Sequence, residues 1–177
     1  ISGGHVVAAT DAGVALDEAT VRAWLDEVPD PEIPVLTIMD LGIVRGVRVD
    51  GEAVEVAITP TYSGCPATRV IEENVTEHLH ARGVQTIRIK RVLSPAWTSA
   101  WLSADGRRKM RAYGIVPPDD GQQAGGRFPW SRATPQIQCP RCDADNVERV
   151  SEFGSTPCKA QFRCLSCLEP FEYFKCI

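Results

Sequence analysis

The sequence predicts an α+β protein in two parts: a small mixed-sheet domain of order α-β-β-α-β-α, then a cysteine-rich module held together by metal. Three observations point there. Between residues 17 and 116 the apolar period switches repeatedly between 3.6 and 2, which alternating helices and strands produce. One of those switches is strand–helix–strand, a β-α-β crossover of right-handed sense. Finally, six of the seven cysteines crowd between Cys139 and Cys176, a clustering that reads as a ligand set rather than as scattered core residues.

The first helix is expected over residues 17–28, with Asp17 as N-cap and Val21, Trp24, Leu25 and Val28 at helical spacing. Pro29, Pro31 and Pro34 stop it and stiffen the loop that follows. From Ile43 to Thr59 the period is two. Val47 and Val49, then Val54, Val56 and Ile58, point one way, and Asp50-Gly51 between them is a hairpin signal. After the loop TPTYSGCPA a second helix carries Ala67, Ile71, Val75 and Leu79 on one face, with Gly83 at its C-terminal cap. A strand over Gln85–Leu93, with Ile87 and Ile89 inward, completes the crossover. The loop SPAWTSAW and a short helix near Ser103–Tyr113, closed by Gly114, end the domain. Residues 117–138 are rich in Pro, Gly and Gln without a period and read as a linker, and residues 1–16 as a flexible N-terminus.

Composition narrows the function. The chain has 177 residues, 44% of them hydrophobic, and a formal net charge of −4. That balance offers no general attraction for nucleic acid or anionic lipid. No stretch approaches the ~20 apolar residues of a membrane helix. The opening eighteen residues lack a basic leader and a long apolar core, so export is not expected and a cytoplasmic location is. In such a compartment clustered thiols bind metal more often than they pair as disulfides.

Cys139-Pro-Arg-Cys142 and Cys164-Leu-Ser-Cys167 form two C-x-x-C turns. Thiolates two residues apart on a tight turn can face one ion, and two such turns complete a tetrahedron. Segments Val147–Glu152, Ala160–Arg163 and Phe171–Phe174 suit three strands between and after the turns. This is the layout of a zinc ribbon over residues 139–177, in which one structural zinc on Cys139, Cys142, Cys164 and Cys167 supplies the folding free energy that so short a tail lacks. Five basic against six acidic side chains in that tail give it no basic face for phosphate. Cys158 and Cys176 remain. Both fall at the far end of the hairpin from the knuckles, where they could be a redox pair, a labile metal site, or two small buried residues; one could also replace a knuckle ligand.

Cys65 stands alone, directly before Pro66 at the start of the second helix. Unpaired N–H groups and the positive end of the helix dipole favour thiolate there, so a lowered pKa and a reactive or metal-binding role are expected. The bland alternative is a buried hydrophobe. Asp30, Glu32 and Asp40 flank it on the proline-stiffened loop, either as caps or as ligands of a metal beside Cys65. Trp97 and Trp101 read as packing residues, or as a lid over the Cys65 loop. Arg107, Arg108, Lys109 and Arg111 read as a solvated helix face, or as a docking surface for an acidic protein.

The motifs DPEIPVLTIMDLGIV, TPTYSGCP and SPAWTSAW resemble the MIP18 (DUF59) family, whose members assist iron–sulfur cluster assembly. With the tail FGSTPCKAQFRCLSCLEPFEYFKC, residues 17–177 resemble the D subunits of bacterial phenylacetyl-CoA epoxidase systems. The resemblance implies a MIP18-like domain joined to a zinc ribbon, and an accessory chain rather than a catalytic one. It implies partners among the epoxidase subunits, above all the flavin reductase that carries a [2Fe–2S] cluster, and a transient iron or iron–sulfur cargo. Cys65 matches the family position linked to that work, and Asp30, Glu32 and Asp40 match its motif positions. The ribbon is expected to recognise the client or to stabilise a homodimer. The alternatives are a structural subunit of the oxygenase complex, or a thiol-redox protein using Cys65.

Overall fold

The computed structural model describes residues 16–118 and 137–175. The proposed flexible N-terminus, nearly all of the linker and Cys176 therefore lie outside the described residues.

Helix α1 (Glu18–Leu25) starts where expected: the Asp17 carboxylate accepts from the Thr20 N–H at 2.8 Å. It stops at Leu25 rather than Val28, because a residue preceding proline is pushed out of the helical region. Val28 is nevertheless buried in the core. Strands β1 (Val44–Asp50) and β2 (Ala53–Ile58) form the hairpin, with Gly51 at φ +58° in its turn. Helix α2 (Ala67–Ala81) buries Ala67, Ile71, Val75 and Leu79, as their spacing requires, and returns the chain to β3 (Thr86–Arg91). The sheet order is β1-β2-β3, with β1/β2 antiparallel and β2/β3 parallel. Strand β3 is an edge, so Ile87 and Ile89 are half-buried rather than sealed.

A single turn of 3₁₀ helix (Ser99–Trp101) leads into α3 (Ala104–Tyr113). Ser103 caps α3 by accepting from the Gly106 N–H at 2.8 Å, and Gly114 closes it at φ +90°. Gly42 is required where it stands. Its φ is +66°, and a Cβ there would lie 2.2 Å from the Trp101 carbonyl oxygen. The loop of residues 29–42 is thereby pressed against the 3₁₀ turn.

The tail adds β5 (Val147–Ser151), β6 (Lys159–Cys164) and β7 (Pro170–Phe174), the three strands expected. It also recruits a fourth from the first domain. The short β4 (Ile115–Val116) pairs in parallel with β7, giving the order β4-β7-β6-β5. Strand alternation then splits the seam between two cores. Ile115 and Phe174 face the first core, together with Cys158, while Val116, Phe171 and Tyr173 face the ribbon's own. Phe174 is 1% exposed and meets Trp97 edge-on with ring centroids 5.9 Å apart. The two parts share hydrophobic packing, so the ribbon is fastened to the sheet domain rather than tethered beside it.

The basic run on α3 is a solvated face only in part. Lys109 Nζ donates to the buried Asp40 at 2.7 Å, Arg107 to the carbonyls of Ser99 and Pro118, and Arg111 to Asp143 beside the first knuckle at 2.7 Å. Arg108 pairs with Asp105 on its own helix.

Candidate functional site

Two clusters of metal-ligating groups emerge. In the ribbon, Cys139 and Cys142 come from the turn before β5, and Cys164 and Cys167 from the turn between β6 and β7. Their four sulfurs lie within 4.8 Å of one another. Cys139 Sγ is 3.6 Å from Cys167 Sγ, and Cys142 Sγ is 3.6 Å from Cys164 Sγ. Four ~2.3 Å zinc–sulfur bonds at tetrahedral angles separate neighbouring sulfurs by about 3.8 Å, so the spacing fits an ion at the centre. The backbone is arranged for thiolates as well. Arg141 N–H points at Cys139 Sγ, and the N–H groups of Ser166 and Cys167 point at Cys164 Sγ, each at 3.4 Å. Those two donors, helped by the neighbouring Cys167 and Cys142 thiols, pull the Cys164 thiol down to about 6. The geometry supports metal binding at this quartet.

The second cluster lies where the loop of residues 29–36, the end of β2, the start of α2 and the ribbon converge. It surrounds a cavity of about 20 Å³ lined by Asp30, Glu32, Cys65 and Cys158, with Ile33, Ile58 and Phe174 among its apolar walls. That is room for a water or a single ion; sites for small organic molecules run to hundreds of Å³.

Each polar group is placed by local structure. Asp30, 5% exposed, accepts from the N–H groups of Glu32 and Ile33 at 3.0 and 2.7 Å, which closes the proline-rich loop into a turn. Burial pushes its carboxyl up, against those two donors and the nearby Lys159 charge. Burial and the neighbouring Asp30 charge do the same to Glu32. Cys65 is half-buried at the entry to α2, where its carbonyl accepts from Thr68 Oγ1 at 2.9 Å. Cys158, just before β6, is 3% exposed. Its sulfur lies 3.0 Å from Thr156 Oγ1 and 3.8 Å from Glu32 Oε2.

The expectation of a lowered Cys65 pKa is overturned. The helix N-terminus acts as supposed, since the Ala67 N–H favours the thiolate. Burial outweighs it, and the carboxylates of Glu32 and Asp30 add to burial, so the thiol is raised. Burial likewise pushes Cys158 up to about 11. Without a cation, both sulfurs hold their protons at neutral pH.

Of the two roles open to Asp40, cap or ligand, its surroundings favour the first: it is absent from the cavity wall. Its two oxygens are taken by Ser103 Oγ at 2.7 Å, Lys109 Nζ at 2.7 Å and Thr37 N–H at 3.1 Å. It ties the loop to α3. Trp97 is buried and donates its indole N–H to the Leu41 carbonyl at 2.8 Å, and Trp101 lies under the Arg45 guanidinium; both are packing residues. Sequence reasoning set Cys158 beside Cys176 and missed its place in the Cys65 cavity. Cys158 belongs with Cys65, a pairing across ninety-odd residues that no local pattern carries. Tyr62 stands nearby but outside the cavity's lining, and burial with the fields of Cys65, Glu32 and Cys158 pushes its phenol up to about 12.

Residues 18–89 match a family model described as iron-sulfur cluster assembly protein, and residues 127–175 match the PaaD zinc beta ribbon domain. A protein of Escherichia coli (strain K12), provisionally named as the D component of a 1,2-phenylacetyl-CoA epoxidase, is 48% identical over 157 residues, covering 89% of this chain and 92% of that one. Among solved structures, a DUF59 domain of unknown function from Bacillus anthracis is 28% identical with a TM-score of 0.49, over 52% of this chain and 90% of that one. A Mycobacterium tuberculosis protein described as associated with [Fe-S] complex assembly and repair is 34% identical with a TM-score of 0.33, over 60% of this chain and 94% of that one. With an assembly-type domain packed against a four-cysteine ribbon, and near-half identity over almost its whole length to such a relative, the chain belongs to the family of 1,2-phenylacetyl-CoA epoxidase D components.

Proposed function

We propose that this chain assists the assembly of an iron or iron–sulfur centre in a partner subunit of a phenylacetyl-CoA epoxidase, without itself activating oxygen. The client this reading favours is the [2Fe–2S] flavin reductase, and the setting is the cytoplasm. The observation that carries the proposal is the cavity at Cys65, which gathers a half-exposed thiol and two carboxylates around a space sized for one ion. A catalytic pocket for a CoA thioester would need many times that volume. The thiol holds its proton until a cation arrives, so cargo binds by displacing a proton and leaves when the proton returns. A transfer protein needs that reversibility.

The ribbon serves a different purpose. Cys139, Cys142, Cys164 and Cys167 would hold one zinc permanently, and that zinc stiffens the turns that keep Cys158 and Phe174 against the first domain. The test is cluster occupancy of the reductase purified from cells that also express either the wild-type chain or Cys65→Ser. The expected result is a reductase depleted of cluster with the variant, while the variant keeps its zinc and its fold. Full occupancy with Cys65→Ser would sink the transfer reading.

One observation favours a structural-subunit reading alongside it. Val150 and Phe153 on or beside the edge strand β5, and Leu168 at the second knuckle, are each more than 60% exposed. Such exposed apolar side chains suit docking to another subunit, and such docking is compatible with delivery. A purely structural role predicts that Cys65→Ser leaves the epoxidase complex fully active.

A further inference from the structure

We propose that the ribbon supplies a ligand to the first domain's site: Cys65 Sγ, Cys158 Sγ and a Glu32 carboxylate oxygen together bind one divalent transition-metal ion. This rests on the reading of Cys65 as the cargo site and extends it to a residue on the other module.

Two observations carry the proposal. First, Cys158 lines the same ion-sized cavity as Cys65 and Glu32, with its sulfur 3.8 Å from Glu32 Oε2. Its position is rigid: the carbonyl of Cys158 accepts from Lys175 N–H at 2.9 Å, and Phe174 anchors the strand end against Trp97. Second, the cavity is short of positive charge. Asp30 and Glu32 both face it, and the cation that acts on them, Lys159, is already paired with Glu172 at 2.9 Å. Two carboxylates in a largely apolar pocket are costly unless a cation joins them.

The donor set selects the class of ion. Two sulfurs and one carboxylate suit Fe(II), Co(II) or Zn(II), whereas Mg(II) and Ca(II) take all-oxygen shells. Three protein ligands leave a coordination position open, as an exchangeable site requires. The spacing separates this site from the ribbon. Among the described residues, only the ribbon quartet holds its ligand atoms within 4.8 Å of one another. The Cys65 set is wider, must close on the ion, and so binds it less tightly than the preorganised knuckles do.

The experiment is an anaerobic Co(II) titration of the full-length, zinc-loaded chain, read by sulfur-to-cobalt charge-transfer absorption. The expected result is one cobalt beyond the zinc, with an intensity corresponding to two thiolates. Cys65→Ser and Cys158→Ser should each halve that intensity and weaken binding about tenfold or more. If Cys158→Ser leaves the spectrum and affinity unchanged while Cys65→Ser abolishes them, the inference is overturned and the Cys65 reading survives. If no second cobalt binds, or neither substitution affects it, both fail. Should Cys158→Ser not fold, cobalt-edge X-ray absorption on the wild type decides the matter: two sulfur neighbours support the inference, and one or none refutes it.

Discussion

Asp40 could be a loop-fixing acceptor or a metal ligand; its partners favour the first role, and Asp40→Asn tests it directly. Its carboxylate is 6% exposed and accepts from Ser103 Oγ, Lys109 Nζ and Thr37 N–H. An asparagine keeps one acceptor oxygen but turns an amide N–H₂ toward a donor, so at least one buried donor loses its partner. That costs about 1–3 kcal/mol. The lost Lys109 pairing adds less than about 1 kcal/mol, because Lys109 is 35% exposed and retains Asp105 at 3.1 Å. The total, about 1–4 kcal/mol, lowers the Tm by roughly 2–16 °C for a chain of this size. Urea and thermal denaturation of zinc-loaded protein at neutral pH measure it, with metal content determined alongside. The pH dependence has a definite sign. Burial raises the Asp40 carboxyl, but Lys109, Ser103 and Thr37 together hold it below its ordinary value. Its contribution is therefore complete above about pH 4 and lost as pH falls through the lowered folded value. The gap between wild type and variant accordingly stays flat down to about pH 4 and closes below it. A variant of unchanged stability that fails to bind cobalt at the Cys65 site would refute the reasoning and return Asp40 to the metal.

The remaining predictions concern the joint between the modules. Removing the ribbon metal with a chelator should perturb the first domain as well, since Phe174 and Cys158 belong to its core. Loss of tryptophan emission intensity and a single, downshifted unfolding transition are expected; two independent transitions would show the modules uncoupled. Phe174→Ala should destabilise the whole chain by about 3–5 kcal/mol, measured by urea denaturation. A cost under about 1 kcal/mol would mean that the Trp97–Phe174 contact contributes little.

Much of this protein was legible before any fold was known, because the signals were local. Asp17 and Gly114 mark helix ends, the alternation of Val54, Val56 and Ile58 marks a buried strand face, and the two C-x-x-C turns mark the metal quartet, each within a few residues. Where a local rule competed with tertiary context, context decided. The helix N-terminus at Cys65 favours thiolate, yet burial beside Glu32 and Asp30 prevails, because desolvation depends on what the rest of the chain packs around a group. Asp40 sits in the same loop as Asp30 and Glu32, but α3 arrives from more than sixty residues away to claim it. Cys158 could be paired with Cys176 on hairpin geometry alone. Only the parallel pairing of Ile115–Val116 with β7, which seats the ribbon on the sheet domain, carries Cys158 to Cys65. Sequence determined the elements and the ligand types, since hydrophobic period, capping and turn chemistry act over one or two turns of chain. The tertiary structure decided which side chains share a cavity, because that follows from the burial of apolar faces that are distant in sequence.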